Sequence, residues 1–250
     1  MPTDWPVGVG RIVLLRTDST LSEAARIFPT LPGPTWILAH EQTAARGRRG
    51  RAWKMPRGNF AATYVMPLSS DTERAALRSF VMALALFDAV ASITGRPAGL
   101  SLKWPNDVLL NGGKLAGILL ESHAERGRIA GLSIGVGVNL AAAPDGHEVE
   151  AGALRPVSLA GEAGADVTPE DFLDLLAAAY AVREASFVTY GFAPIREAWL
   201  QDAAKLGEVI TARLAKEEIT GTFETVDENG YLVLTTPKGR RRIAAADVFF

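Results

Sequence analysis

The sequence predicts an α+β fold: a mixed body of strands and helices, with a small all-β module at its C-terminal end. Three observations predict it. The 250 residues are 48% hydrophobic and 22% charged, the composition of an ordinary folded chain with enough apolar material for a sizeable core. Up to about Lys205, short apolar runs rich in branched residues alternate with longer runs whose apolar residues recur at helical spacing. Beyond Lys205 only short, closely spaced strands remain, which suits a small closed barrel better than a sandwich.

The elements follow in chain order. Val9 to Arg16 (VGRIVLLR) reads as a strand. Thr20-Leu-Ser-Glu23 matches a Thr-x-x-Glu capping box and opens a short helix through Phe28, which PTLPGP stops. Thr35 to Glu41 and Phe60 to Met66 read as strands. Ser70-x-x-Glu73 is a second capping box ahead of a helix with Leu77, Phe80, Val81, Leu84 and Phe87 on one stripe, ended by Gly95 and Pro97. LSLKW, DVLLN, KLAGILLES and RIAGLSIGVGVN are strands, and NGGK at 111–114 is a hairpin turn. Thr168-Pro169 supplies a cap and a first-turn proline for a helix to Tyr190, with Gly191 as its C-cap. A shorter helix covers Pro194 to Ala203. GEVITARL, EITGTFETV, YLVLTT and RRRIA are the strands of the C-terminal module, with DENG and PKG as turns.

Composition excludes several classes of function. The absence of cysteine removes disulfides, thiol catalysis and cysteine-bound zinc. His40, His123 and His147 stand too far apart to form a ligand-spaced pair. The N-terminus has no basic segment followed by an apolar run, and no apolar stretch approaches the about 20 residues of a membrane span. A soluble, cytoplasmic protein is the expectation.

Against a net charge of only -2, Arg46 to Arg51 (RGRRGR) concentrates four arginines and two glycines. The run follows a strand, so it projects from a sheet end, and it is expected to be mobile without ligand. Arginine holds phosphate or carboxylate through a planar, permanently charged fork. Three readings fit the loop: a solvated charge run, a nucleic-acid-binding segment, or an anion-binding loop of an enzyme. A pI near 6.0 argues against the second.

A second constellation, KWPNDVLLNGGKLAG at 103–117, favours the third. Pro105 holds Trp104 extended. Asn106 and Asp107 open a strand, the turn reverses it, and Lys114 starts the next strand in the neighbourhood of Asp107. Gly117 follows with no side chain to block a ligand.

RGRRGRAW and KWPNDVLLNGGKLAG in this order, with TDST at 17–20 and GVGVN at 135–139, resemble the biotin protein ligases over essentially the whole chain. The resemblance implies a catalytic core like that of class II aminoacyl-tRNA synthetases at 1–204 and an SH3-like domain at 205–250. It implies ATP-dependent transfer of biotin to a lysine of a carboxylase's carrier domain through biotinyl-5′-AMP, with Mg²⁺ on the phosphates. Biotin is assigned to Ser19, Thr20, Leu21 (through its backbone), Gln42, Arg46, Gly47, Arg48, Lys114 and Gly117. Arg48, Arg49, Trp53, Asn106, Asp107, Lys114 and Asn139 are assigned to ATP and the adenylate. Lys114, Arg48 and Asp107 are the catalytic candidates, and no metal ligand is assigned. This sequence departs from the family pattern at Ala45, where glycine is usual, and at Leu21, where asparagine is frequent.

TDST begins at residue 17, which implies the short form of the family without a DNA-binding domain; neither DNA nor a membrane is an expected partner, and a homodimer is left open. Two alternatives stand beside this reading: a lipoate–protein ligase and an RNA-binding module.

Overall fold

The structure is a computed structural model that describes residues 4–68, 74–95, 98–145, 154–214 and 216–250. The body contains β1 (Gly10–Leu14), α1 (Thr20–Ile27), β2 (Thr35–Ala39), β3 (Phe60–Pro67), α2 (Arg78–Thr94), β4 (Leu100–Lys103), β5 (Asp107–Leu110), β6 (Gly113–Glu125), β7 (Arg128–Val138), α3 (Leu159–Ala163), α4 (Pro169–Tyr190) and α5 (Phe192–Gln201). Its seven-stranded sheet runs β1-β2-β3-β7-β6-β5-β4. Only the first pair is parallel, because α1 carries the chain across between β1 and β2; every other neighbour is antiparallel.

Strand alternation sends side chains to two different layers. On β2, Trp36 and Leu38 join the main core with α2 and α4, while Ile37 faces the α1 side with Ala24 and Val65. On β7, Leu132, Ile134, Val136 and Val138 enter the main core, which leaves Gly131, Ser133, Gly135 and Gly137 on the opposite face. That face carries almost no side-chain bulk.

The hairpin between β5 and β6 forms as the turn residues demand. Leu110 pairs with Gly113, and the two loop residues Asn111 (φ 50) and Gly112 (φ 74) both take left-handed conformations. At the head of α4 the Thr168 hydroxyl accepts from the Asp171 amide, with Pro169 in the first turn. The box expected at Thr20 does not form. Ser19 is the N-cap of α1 and its side chain makes no capping bond. Thr20 is already helical, and its N–H donates instead to Gln42 Oε1 at 2.8 Å. The Ser70–Glu73 box, Pro97 and His147 lie outside the described residues. Helix α3, capped by the Ser158 hydroxyl, was not anticipated.

The segment Ala75–Thr94, which ends in α2, is long and apolar enough to cross a membrane by length and composition only, and Arg78 and Asp88 interrupt it. Its most apolar window is 72% buried, and it packs against α4, α5 and the sheet. A core helix covered on most of its surface is apolar on more than one face for that reason.

The C-terminal sheet holds β8 (Val209–Arg213), β9 (Glu218–Val226), β10 (Leu232–Thr236), β11 (Gly239–Ile243) and β12 (Asp247–Phe249) in the order β11-β10-β9-β8-β12. Sequence patterning missed β12. This short strand returns past the meander to pair with β8, so β11 and β12 are the edges of the ladder. The turn at Gly230 seats the sheet on the body. Trp104 Nε1 donates to Gly230 O at 3.0 Å. Gly230 itself has φ 78, and a Cβ there would stand 2.8 Å from Leu77 Cδ2 and 2.9 Å from Phe80 Cε2.

Gly230→Ala therefore meets two penalties, a left-handed backbone and overpacking against α2. It is expected to destabilise the protein by about 2 kcal/mol. Urea denaturation checks this: the midpoint should fall, and an unchanged midpoint would show that the turn is not seated as described.

Candidate active site

The cavity opens on the bare face of β7 and β6 and encloses about 480 Å³. Local hydrogen bonding assembles its first wall. Thr17 and Gln42 form a parallel bridge, the Thr43 amide donates to Thr17 O, and the Ala44 amide donates to Asp18 O. The TDST segment and the start of the arginine loop thus run side by side. Gln42 Oε1 accepts from the Thr20 amide and hydroxyl, and the Thr63 hydroxyl donates to Thr20 Oγ1 at 2.8 Å. Ser19, Thr20 and Thr63 are buried, so this end of the cavity is neutral and polar. Thr63 went unnoticed in the sequence, although a hydroxyl inside the apolar run FAATYVM is itself a sign of a buried polar partner.

The glycines of β7 form a shelf. A Cβ at Gly135 would meet the Leu21 side chain at 2.8 Å, and one at Gly137 would meet the Trp53 indole at 2.7 Å. Gly117, the cross-strand partner of Gly137, also lies under Trp53: a Cβ there would be 3.3 Å from Cζ3. The space left open by Gly117 is therefore filled by Trp53 in this structure. Lys114 Nζ lies 5.6 Å from the centre of the same ring.

Lys114 and Asp107 meet as the hairpin predicts, with Nζ 2.8 Å from Oδ1. The contact has ion-pair distance without hydrogen-bond alignment, so the buried Oδ1 has no directed donor. Asn106 is held by the neighbouring strand: Nδ2 donates to Ile118 O at 2.6 Å and the Ile118 amide donates to Asn106 O. Asn139 Nδ2 donates to Val157 O, and Asn139 Oδ1 accepts from Asn59 Nδ2. Both asparagines line the cavity, and both side chains are largely committed to the scaffold.

The arginine loop is held by ion pairs at both ends. Arg46 is clamped by Glu121 through two parallel bonds, Nε–Oε1 at 3.0 Å and Nη2–Oε2 at 2.8 Å, and also donates to Ser22 Oγ. The Glu121 bonds raise the Arg46 pKa above its ordinary value. Arg49 (φ 57) and Arg51 both reach Asp247 Oδ2, at 2.7 and 2.8 Å. Arg48 donates to Ala246 O at 3.2 Å and lies 3.9 Å from Asp247. Burial pushes the Arg48 guanidinium below its ordinary value, and nearby Asp247 opposes the shift. Gly47 sits at the neck of the loop, its amide donating to Arg51 O at 2.7 Å. Ala45 is not among the residues with positive φ, so alanine meets no backbone penalty there. The counter-ions Glu121 and Asp247 were not anticipated, because no local pattern connects them with the loop.

Comparison with known proteins follows the same outline. Residues 13–139 match the Biotin/lipoate A/B protein ligase family, and residues 205–250 match the Biotin protein ligase C terminal domain. The chain is 56% identical to the biotin--[acetyl-CoA-carboxylase] ligase of Paracoccus denitrificans, over 95% of this chain and 99% of that one. It is 29% identical to the bifunctional ligase/repressor BirA of Bacillus subtilis, over 94% of this chain and 71% of that protein. Among solved structures, the fold is similar to the biotin protein ligase from Aquifex aeolicus in complex with biotin and ATP, with TM-score 0.80 at 24% identity over 96% and 98% of the two chains.

The seat of Trp53 is testable without any ligand. Gly137→Ala should destabilise the fold by about 1–3 kcal/mol, because its Cβ drives into the indole. In a Trp53→Ala background the same substitution should cost much less. A double-mutant cycle by chemical denaturation measures the difference; full additivity would show that Trp53 does not rest on Gly137.

Proposed function

The chain belongs to the biotin/lipoate A/B protein ligase family, and we propose that it attaches biotin to a lysine of a biotin carboxyl carrier domain in two ATP-dependent half-reactions. In the first, a biotin carboxylate oxygen attacks the α-phosphorus of ATP and pyrophosphate leaves. In the second, the acceptor amine attacks the acyl carbon of biotinyl-5′-AMP, loses a proton and expels AMP. The observation that carries this reading is the polarity of the cavity. Neutral donors and acceptors sit at the Thr20–Gln42 end, and Arg48 and Lys114 line the remainder beside Trp53.

The chemistry explains the charge. Two like unit charges about 4 Å apart repel by roughly 4 kcal/mol at an effective dielectric near 20. A carboxylate approaching a triphosphate needs positioned cations that strengthen their hold as charge develops. In this reading Lys114 bridges the biotin carboxylate and the α-phosphate. Arg48, whose nearest ion-pair partner is Asp247 at 3.9 Å and beyond hydrogen-bond distance, supplies the second cation. Arg46, Arg49 and Arg51 shape and hold the loop through their own carboxylates. Asp107 holds the Lys114 ammonium, and in this reading its carboxylate takes the proton of the acceptor amine.

We place the ureido ring against Ser19, Thr20 and Gln42, whose neutral groups match its donors and acceptors, and adenine against Trp53. Magnesium suits this site as the metal of the triphosphate. The buried Asp107 Oδ1 lacks a directed donor, and no group of three acidic or histidine side chains that could hold a metal alone occurs among the described residues. When bound, the ion would neutralise phosphate charge. We assign 1–204 to catalysis and 205–250 to a module that anchors the loop through Asp247, and place the enzyme in the cytoplasm with its ATP.

A lipoate substrate would leave the polar Thr20–Gln42 end facing an apolar dithiolane, so biotin is the better fit. RNA binding fits less well, because Arg46, Arg49 and Arg51 are neutralised internally and the loop is not an open basic surface.

Biotin-dependent exchange between ATP and pyrophosphate, followed by transfer to a carrier domain, tests the reading; activity with lipoate and none with biotin would overturn it. Within it, Lys114→Ala should slow single-turnover adenylate formation by about 10²–10³. Lys114→Arg should restore only part, because a planar fork cannot occupy the position of an ammonium. A near-normal rate for Lys114→Ala would remove that residue from the mechanism.

A further inference from the structure

Lys103 opens the KWPND string, and nothing above gives it a role. It lines the cavity and is half-buried. Among the described residues no carboxylate comes within ion-pair distance of it. Arg46, Arg49, Arg51 and Lys114, by contrast, each have a carboxylate oxygen within 2.8 Å. Its ammonium lies instead against the Phe250 ring, with Nζ 5.0 Å from the centroid. Burial pushes its ammonium below the ordinary lysine value, while Asp107 and Asp247 pull upward and Lys114 downward. A half-buried cation without an anion is unfavourable until a ligand supplies one.

Register shows which part of a ligand that is. Gly137 pairs with Gly117, Gly117 with Asp107, and Asp107 with Lys103, so these four residues form one row across β7, β6, β5 and β4. Trp53 covers the two glycines, Lys114 sits over Asp107, and Lys103 ends the row under Phe250. Three strand spacings of about 4.8 Å carry the row about 14 Å, comparable with an extended nucleoside triphosphate. With adenine at Trp53 and the α-phosphate at Lys114, the next cation along the row faces the β- and γ-phosphates.

We propose that Lys103 is a further catalytic residue, which binds the β- and γ-phosphates of ATP and stabilises the leaving pyrophosphate. This rests on the function proposed above. The biotin carboxylate forms a bond to the α-phosphorus, the bond from that phosphorus to the α,β-bridging oxygen breaks, and its electron pair leaves on pyrophosphate. Lys103 remains an ammonium throughout, so no proton has to be transferred. The second half-reaction contains no pyrophosphate and does not need Lys103.

The test is Lys103→Met, which keeps the aliphatic stem against Phe250, with Lys103→Arg as the conservative variant. Three rates are measured: single-turnover adenylation, its inhibition by inorganic pyrophosphate, and transfer from preformed biotinyl-5′-AMP to a carrier domain. Lys103→Met should slow adenylation by about 10²-fold and weaken pyrophosphate inhibition by at least about tenfold. Transfer and biotin affinity should stay near wild type, and Lys103→Arg should recover part of the adenylation rate. Normal adenylation with normal pyrophosphate inhibition overturns the proposal. So does a loss confined to transfer, or a loss of biotin affinity together with a lowered thermal midpoint. Wild-type protein without biotin-dependent exchange would instead fail the underlying function, which separates the two failures.

Discussion

The bare face of β7 is the constraint on which the site depends. Its alternate residues fill the main core, so the opposite positions had to be small for anything to lie flat on the sheet. Gly131, Gly135 and Gly137 let Phe28, Leu21 and Trp53 settle directly on the backbone. α1 can then approach closely enough to present Ser19 and Thr20, and the arginine loop can fold back over Gly117. A single methyl on this shelf would move the element above it, because the atoms it meets are rings and branched side chains in contact at under 3 Å.

Charge neutralisation is the second organising principle. The loop carries four arginines, yet three of them hold protein carboxylates at 2.7–2.8 Å. The counter-ions come from β6 and from the last strand of the C-terminal sheet, so the loop is shaped by elements distant from it in sequence. This links the small module to the cavity: Asp247 lies beneath the loop with its side chain only 13% exposed. The cations left for ligands are Arg48, whose carboxylate partner stands at 3.9 Å, and Lys114, whose pairing is poorly aligned. Fixed cations in a partly dry cavity need little rearrangement when charge develops.

Local chemistry was legible in the sequence, and long-range pairing was not. The NGGK turn and the Thr168-Pro169 cap act within a few residues of themselves, so their patterns carried through to the structure. The approach of Lys114 to Asp107 followed from the hairpin alone. The box at Thr20 was misread because Gln42, a partner from another segment, claimed its backbone amide. Glu121, Asp247 and Thr63 could not be attached to the site without the sheet order that brings them there. The span-like composition of Ala75–Thr94 shows the same limit: a broad apolar surface records burial but does not say against what.

The most direct test of the account is a crystal structure with a non-hydrolysable biotinyl-5′-AMP analogue. The account predicts the ureido ring against Ser19, Thr20 and Gln42, adenine against the indole of Trp53, and Lys114 and Arg48 within hydrogen-bond distance of the linkage between acyl and phosphoryl groups. An analogue bound in the opposite direction, or outside the shelf of β7, or without contact to Lys114, would contradict it.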